Sequence, residues 1–245
     1  MNYLRYRLIW VEKVKIFLMS AGLTIFVAYL FYRSYWAFLL FPIIYVILKK
    51  RAVKAGKKRV RQELAKQFLD AMRVVNTALL AGYSLENAWK EAQKEIESLY
   101  GTDSYMYLEL KEMNQLVELN NPLEQLLEDF ARRSGMEDIL GFAEVFSFAK
   151  RSGGNFVEII EHTTDHMRQK QETTQEIEVL FASRKMEQKV MNIIPIFILF
   201  YMSASSGEYM SVLYGNGIGI LFMSICLVVY VAAILLAEKI MTIEV

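Results

Sequence analysis

An all-α, polytopic membrane protein is the fold class this sequence predicts. Three observations predict it: four apolar segments split two and two, a long charged stretch between the pairs, and helical spacing of apolar residues throughout that stretch. The apolar segments are residues 16–32, 35–48, 191–206 and 218–237. The last carries no charge and extends about 30 Å at helical rise, the thickness of a bilayer's hydrocarbon core. The other three reach about 21 to 26 Å, so they cross by borrowing flanking residues or by thinning the bilayer locally. The expected organisation is a transmembrane hairpin over 1–50, a cytoplasmic bundle of about six helices over 51–190, and a second transmembrane hairpin over 191–245.

Basic residues set the orientation, because short Lys- and Arg-rich flanks stay cytoplasmic. Arg5, Arg7, Lys13 and Lys15 precede the first segment, and eight basic residues with no acidic one fill 49–61, whereas only Arg33 lies between the first two segments. Arg184, Lys185 and Lys189 precede the third segment, and 207–217 carry one charge, Glu208. Both termini and the central domain are therefore expected in the cytoplasm, on the inner face of the cytoplasmic membrane. The basic start is not a cleavable leader on this reading, since Phe31–Tyr35 offers no small-x-small site and a second apolar run follows at once.

Composition agrees with a membrane protein that has a soluble part: 54% of residues are hydrophobic and 22% are charged. The single cysteine, Cys226, lies in the fourth apolar segment, which excludes a disulfide or a thiolate metal cluster within one chain. A net charge of +1 conceals a division, because residues 62–190 hold 14 basic against 23 acidic side chains, a formal −9. The basic strip at 49–61 suits anionic lipid headgroups. The acidic domain next to it would repel nucleic-acid phosphates, so no nucleic-acid partner is expected.

Within the domain the elements follow in order. A first helix carries Leu64, Phe68, Met72, Val75 and Leu79 on one face, and Gly82 supplies the left-handed residue that closes it. Ser84 caps the second helix, whose inward face is Leu85, Ala88, Trp89, Ala92 and Ile96, and Gly101 ends it. A third helix runs from about Ser104 to Leu119 with Tyr107, Leu110, Met113 and Leu116 or Val117 inward. Asn121 as cap, Pro122 at the first helical position and Glu124 three residues after the cap then start a fourth, with Leu123, Leu126, Leu127 and Phe130 inward. A fifth covers about Glu137–Arg151 with Ile139, Leu140, Ala143, Phe146 and Ala149 inward, and Ser152-Gly153-Gly154-Asn155 breaks it. From Phe156 no helix breaker occurs before Pro195, so a long rod is expected to feed the third span, with Pro195 kinking it.

Three turns share a helix, polar or Gly-rich turn, helix pattern: 81–85, 120–123 and 152–156. With the four apolar segments they carry a resemblance. Leu79-Leu80-Ala81-Gly82-Tyr83-Ser84-Leu85-Glu86-Asn87-Ala88 is similar to L-x-x-G-x-S-L-x-x-A. Pro122-Leu123-Glu124-Gln125-Leu126-Leu127 is similar to P-L-x-x-A-L, and Ala149-Lys150-Arg151-Ser152-Gly153-Gly154-Asn155-Phe156 to A-x-x-x-G-G-N-L. These motifs belong to the F-domain platform proteins of type II secretion and type IV pilus machines, and the chain most resembles the shorter Tad-type pilus assembly members. Asn120-Asn121 departs from the family's Gly turn, Leu126 from its Ala and Phe156 from its Leu.

The resemblance implies a non-enzymatic platform without a cofactor. It would couple a cytoplasmic hexameric assembly ATPase to the extraction and polymerisation of pilin-like subunits. Its motif residues, Gly82, Ser84, Pro122, Gly153, Gly154, Asn155 and Pro195, are then structural turns and a kink rather than a catalytic set. A single copy of the domain implies self-association or a second polytopic homologue as partner. No G-x-x-x-x-G-K-[ST] loop is present for a nucleotide.

Two rival readings come from other classes. His162 and His166, four residues apart, share a helical face and could chelate a metal, but Thr163 stands where H-E-x-x-H needs its glutamate. A solvated helix face with two polar histidines is the simpler account. A helical transporter is the second rival, and the spans lack the ionisable residues that mark a substrate path.

Overall fold

The computed structural model describes residues 8–32, 35–152, 156–205, 213–214 and 216–241, and every regular element among them is helical. Among the described residues the α-helices are, in order, α1 (Trp10–Val27), α2 (Phe41–Leu80), α3 (Leu85–Tyr100), α4 (Tyr105–Glu118), α5 (Leu123–Ser134), α6 (Glu137–Ser152), α7 (Phe156–Ser205) and α8 (Gly217–Met241). A π-helical turn, Ala28–Tyr32, extends α1, and a 3-10 segment, Tyr35–Leu40, precedes α2.

Helix α2 joins what the sequence reading separates. Its 40 residues include the end of the second apolar segment, the basic strip and the first helix of the domain. Pro42 lies in the first turn, where a missing N–H costs nothing, and no other proline follows before Leu80. Helix α7, at 50 residues, likewise contains Pro195 without ending there.

Three helical stretches are long and apolar enough to cross a membrane among the described residues: Trp10–Tyr32, Val157–Ser205 and Gly217–Ile240. The expected segment 35–48 is not one of them. Its helix turns regular only at Phe41, and Lys49, Lys50 and Arg51 follow eight residues later.

The chain divides into two compact units, Val53–Glu172 and, outside it, Leu8–Ala52 with Thr173 onward. In the first unit apolar spacing of three and four turns one face of each helix inward. Leu64, Phe68, Met72 and Val75 of α2, Ala88, Trp89, Ala92 and Ile96 of α3, and Leu127 and Phe130 of α5 are buried in one core. An aromatic chain runs through it: Phe130 to Phe68 at 6.0 Å, Phe68 to Phe142 at 5.3 Å, Phe142 to Phe146 at 6.2 Å, and Phe146 to Trp89 at 6.4 Å between ring centres.

One inward assignment is corrected. Leu140 is 38% exposed, and Phe142 takes the core position instead. Ile139, Phe142, Ala143 and Phe146 hold the three-and-four spacing, which leaves Leu140, one residue and about 100° on, facing outward.

The second unit has a small core of Leu30, Phe31 and Met223, with Ile196, Leu199 and Leu227 packed on it. Several of its hydroxyls bond to backbone carbonyls, which suits a span in lipid. Ser20 and Thr24, both buried, donate to the carbonyls of Phe17 and Ser20 at 2.8 and 2.7 Å. Tyr214 donates to the Leu30 carbonyl at 2.5 Å, and Tyr230 donates to the Asn192 carbonyl, three residues before Pro195.

Candidate functional site

Cross-helix contacts fix the directions of the helices in the first unit. Gln67 of α2 accepts from the Met106 amide at 3.0 Å, and Asp70 accepts from Tyr100 at 2.5 Å, so α2 and α3 run antiparallel. Asn114 of α4 donates to the Trp89 carbonyl of α3 at 3.3 Å, and Lys90 pairs with Glu118 at 2.7 Å. Arg133 of α5 forms a two-pronged pair with Glu109 of α4 at 2.8 and 2.7 Å. Lys150 of α6 meets Glu124 of α5 at 2.6 Å, and Lys170 of α7 meets Asp138 of α6 at 2.6 Å. The helices therefore alternate, which brings the ends of α2, α4 and α6 and the starts of α3, α5 and α7 to one end of the unit. The turns at 81–84 and 119–122 lie there.

The first turn closes α2 and opens α3. Gly82 has φ +87°. Its N–H donates to the Leu79 carbonyl and that of Tyr83 to the Ala78 carbonyl, both at 3.0 Å, which satisfies two orphan carbonyls of α2. A Cβ at Gly82 would meet nothing within 4 Å, so the backbone angle alone selects glycine here. Ser84 then accepts from the Asn87 amide at 3.4 Å, as an N-cap does.

The second turn reaches the same geometry by other residues. Asn120 has φ +63°, the one positive value at a non-glycine among the described residues. Its N–H donates to the Val117 carbonyl at 2.9 Å and that of Asn121 to the Leu116 carbonyl at 3.1 Å, the pattern seen at Gly82. Asparagine thus does what glycine does in the first turn, because its short polar side chain tolerates the left-handed region.

The expected cap at Asn121 is corrected. Its side-chain amide donates backward to the Leu116 carbonyl at 3.0 Å, closing α4 rather than opening α5. Pro122 is the N-cap, with no side-chain cap bond, and α5 begins at Leu123. Glu124 points to Lys150 instead of completing a capping box. Burial pushes the Glu124 carboxyl up, but the Lys150 hydrogen bond, with a backbone bond and the lysine's charge, brings it below its ordinary range. That contribution to stability is present above the unfolded carboxylate range and is lost as pH falls through the depressed value.

In the third turn, Gly153, Gly154 and Asn155 lie outside the described residues. Pro195 lies inside α7, in the second unit, and not with the turns.

The end formed by these turns exposes apolar side chains beside the polar Ser84, Asn120 and Asn121. Leu80 is 64% exposed, Tyr83 51% and Leu119 72%. None belongs to a sequence motif of charge or catalysis, and only their position beside the turn residues Gly82 and Asn120 hints at them. Below this end, the Arg133 and Glu109 pair is largely shielded, with Glu109 2% exposed in its side chain. The hydrogen bonds of Glu109 hold the Arg133 guanidinium above its ordinary range against the opposing effect of burial, with Asp129 adding to them at 2.7 Å.

His162 and His166 are both exposed on α7. Among the described residues no group of three or more His, Cys, Asp or Glu side chains is arranged to hold a metal ion. A small polar cleft lies between α2 and α7, lined by Arg73, Asn76, Thr164, Asp165 and Arg168.

The family description "Type II secretion system (T2SS), protein F" matches residues 60–204. Comparisons with curated proteins and with solved structures find no match. The matched stretch begins in the basic end of α2, takes in α3 to α6 with the first two turns, and ends within one residue of the end of α7. Covering more than half of the chain and lying on an all-helical fold with three membrane-length apolar helices, it makes this protein a member of the type II secretion system protein F family, inner-membrane platform proteins of secretion and pilus machines.

Proposed function

We propose that this protein is the non-enzymatic inner-membrane platform of a Tad-type or related pilus, coupling a cytoplasmic hexameric assembly ATPase to extraction and polymerisation of pilin-like subunits. The observation that carries this reading is the family match over 60–204, which takes in α3 to α6 and almost all of α7. The Tad-type assignment rests on the three turn motifs, in order ahead of a proline-bearing apolar helix. Residues 35–48 complete an N-terminal hairpin with α1, giving four spans with both termini and the domain 51–190 in the cytoplasm. The basic strip at 49–61 supports that orientation. Gly82, Ser84, Pro122, Gly153, Gly154 and Asn155 serve as turn formers, and Pro195 as a kink in the third span.

The platform works with a partner of its own kind, either a second copy or a polytopic homologue. The motor contact is the end where Leu80, Tyr83 and Leu119 are exposed. The formal −9 of residues 62–190 favours a motor surface rich in Lys and Arg.

Affinity purification of the tagged, intact protein from gently solubilised membranes tests the reading, with and without ATP. Recovery of an assembly ATPase, lost on Leu119→Arg with Tyr83→Arg, is the expected result. A folded protein that captures neither an ATPase nor a polytopic homologue would overturn it.

A further inference from the structure

The outer side of α6 is unlike any other surface of the first unit. Leu140, Glu144, Phe148 and Arg151 follow one another at four-, four- and three-residue intervals, so they form one ridge along the helix. Phe148 is 65% exposed, the most exposed aromatic side chain among the described residues of that unit, and Leu140 at 38% and Val145 at 40% extend the apolar surface beside it. Water is an unfavourable neighbour for so much contiguous apolar area.

The charges on the same ridge say what covers it. Glu144 and Arg151 are exposed, and neither forms an ion pair among the described residues; the Arg151 guanidinium only donates to its own helix, to the Ser147 carbonyl at 3.3 Å. Lys90, Lys94, Arg132, Arg133, Lys150 and Lys170 of the same unit, by contrast, find carboxylates. Seven residues separate Glu144 from Arg151, about 10 Å along the axis, so they cannot neutralise each other within one chain. They are opposite in sign and lie on either side of Phe148.

Such a pattern is complementary to itself in the antiparallel sense. If two copies of α6 lie antiparallel about a two-fold axis between Ser147 and Phe148, Glu144 of each faces Arg151 of the other, and the two Phe148 rings meet near the axis. The ion pair forms twice by symmetry, which is the property of an isologous contact.

We propose that the outer ridge of α6 is a self-association surface, pairing this protein with a second copy of itself through Phe148 at the centre and reciprocal Glu144 to Arg151 ion pairs at its rim. This names the face for the self-association proposed above and rests on that part of the reading, but not on the motor contact.

Cysteine cross-linking of the full chain in native membranes tests it. Cys226, the only cysteine, is first replaced by serine. Phe148→Cys is then expected to give a disulfide-linked dimer under mild oxidant, while Ser98→Cys on the exposed side of α3 stays monomeric. For the rim, chemical cross-linking of the Cys226→Ser chain reads dimer yield. Glu144→Arg alone, or Arg151→Glu alone, should lower that yield by about tenfold, and the double exchange should restore it.

Restoration by the double exchange cannot come from a folding defect, because each single variant sits at an exposed position. Equal yields for Phe148→Cys and Ser98→Cys, failure of the exchange to restore pairing, or a cross-link only to a different membrane protein would overturn the proposal. ATPase capture by the Phe148→Asp variant separates the two readings: retained capture with lost dimer supports the ridge as a self-contact alone, and capture lost with the dimer retained would overturn its assignment.

Discussion

The two units solve the same problem, covering apolar residues, in opposite ways. In the first, Phe68, Trp89, Phe130 and Phe146 are shielded to 1% exposure or less. In the second, Ile218 is 84% exposed, Val228 67% and Leu236 61%, on a helix that is apolar all round. The first unit must hide its apolar surface from water by packing helix on helix. The spans need no such partner, because lipid tails are as apolar as the side chains, and what remains to be satisfied there is polar. Hence charged pairs such as Glu109 and Arg133 support the first unit, while hydroxyls bonded to backbone carbonyls support the second.

The sharpest way to break this comparison is a cavity. Phe130→Ala should cost the first unit about 3–5 kcal/mol, whereas Val228→Ala, at a lipid-facing position, should cost well under 1 kcal/mol. Denaturant unfolding of the micelle-solubilised protein followed by circular dichroism measures both, and equal losses would refute the contrast.

Ion pairs come next. Glu109→Ala leaves Arg133 poorly solvated and should cost about 2–3 kcal/mol, less than the loss of a fully buried partner because Asp129 remains. Arg51→Ala, which removes the half-exposed pair with Glu238 at 2.6 Å in the second unit, should cost no more than about 1 kcal/mol. A larger effect at Arg51 than at Glu109 would mean that the second unit depends on charge as well.

The turns give a smaller effect and a finer comparison. Gly82→Val should destabilise by about 1–2 kcal/mol through its backbone angle, with no clash. Asn120→Gly should change stability by only a few tenths of a kcal/mol, because either residue reaches the left-handed region. An unchanged melting temperature for Gly82→Val would show that this turn does not depend on the left-handed residue.

The smallest effect is one of pH. Burial, then the hydrogen bond to Asp70, pushes the Tyr100 hydroxyl up to about 12. Its contribution to stability is complete below the ordinary tyrosine value near 10 and is lost as pH rises toward 12. The tyrosinate absorbance that disappears in Tyr100→Phe should therefore titrate well above the ordinary tyrosine value near 10, and a difference curve centred near 10 would exclude the bond to Asp70.

Much of the first unit was legible because each helix carries its own period. The inward residues of α2 and α3 were readable without neighbours, since a stripe at three and four residues has one economical use in water. Leu140 was misread because it sits beside Ile139, and only the packing of α5 against α6 distinguishes it from Phe142. Asn121 was misread because asparagine serves equally well to start a helix or to end one. Asn120 was in principle readable, as the residue type other than glycine that best accepts positive φ.

The sequence by itself determined that this chain is helical, that it carries membrane-length apolar segments and an acidic domain, and that Gly82 and Ser84 close one helix and open the next. These follow from composition, period and local hydrogen bonding, all of which act over a few residues. Only the tertiary structure decided that the described turns meet at one end beside exposed Leu80, Tyr83 and Leu119, and that Phe148 stands outward between Glu144 and Arg151, which form no ion pair among the described residues. Those facts depend on which helix covers which face, a choice made by packing among residues far apart in the chain.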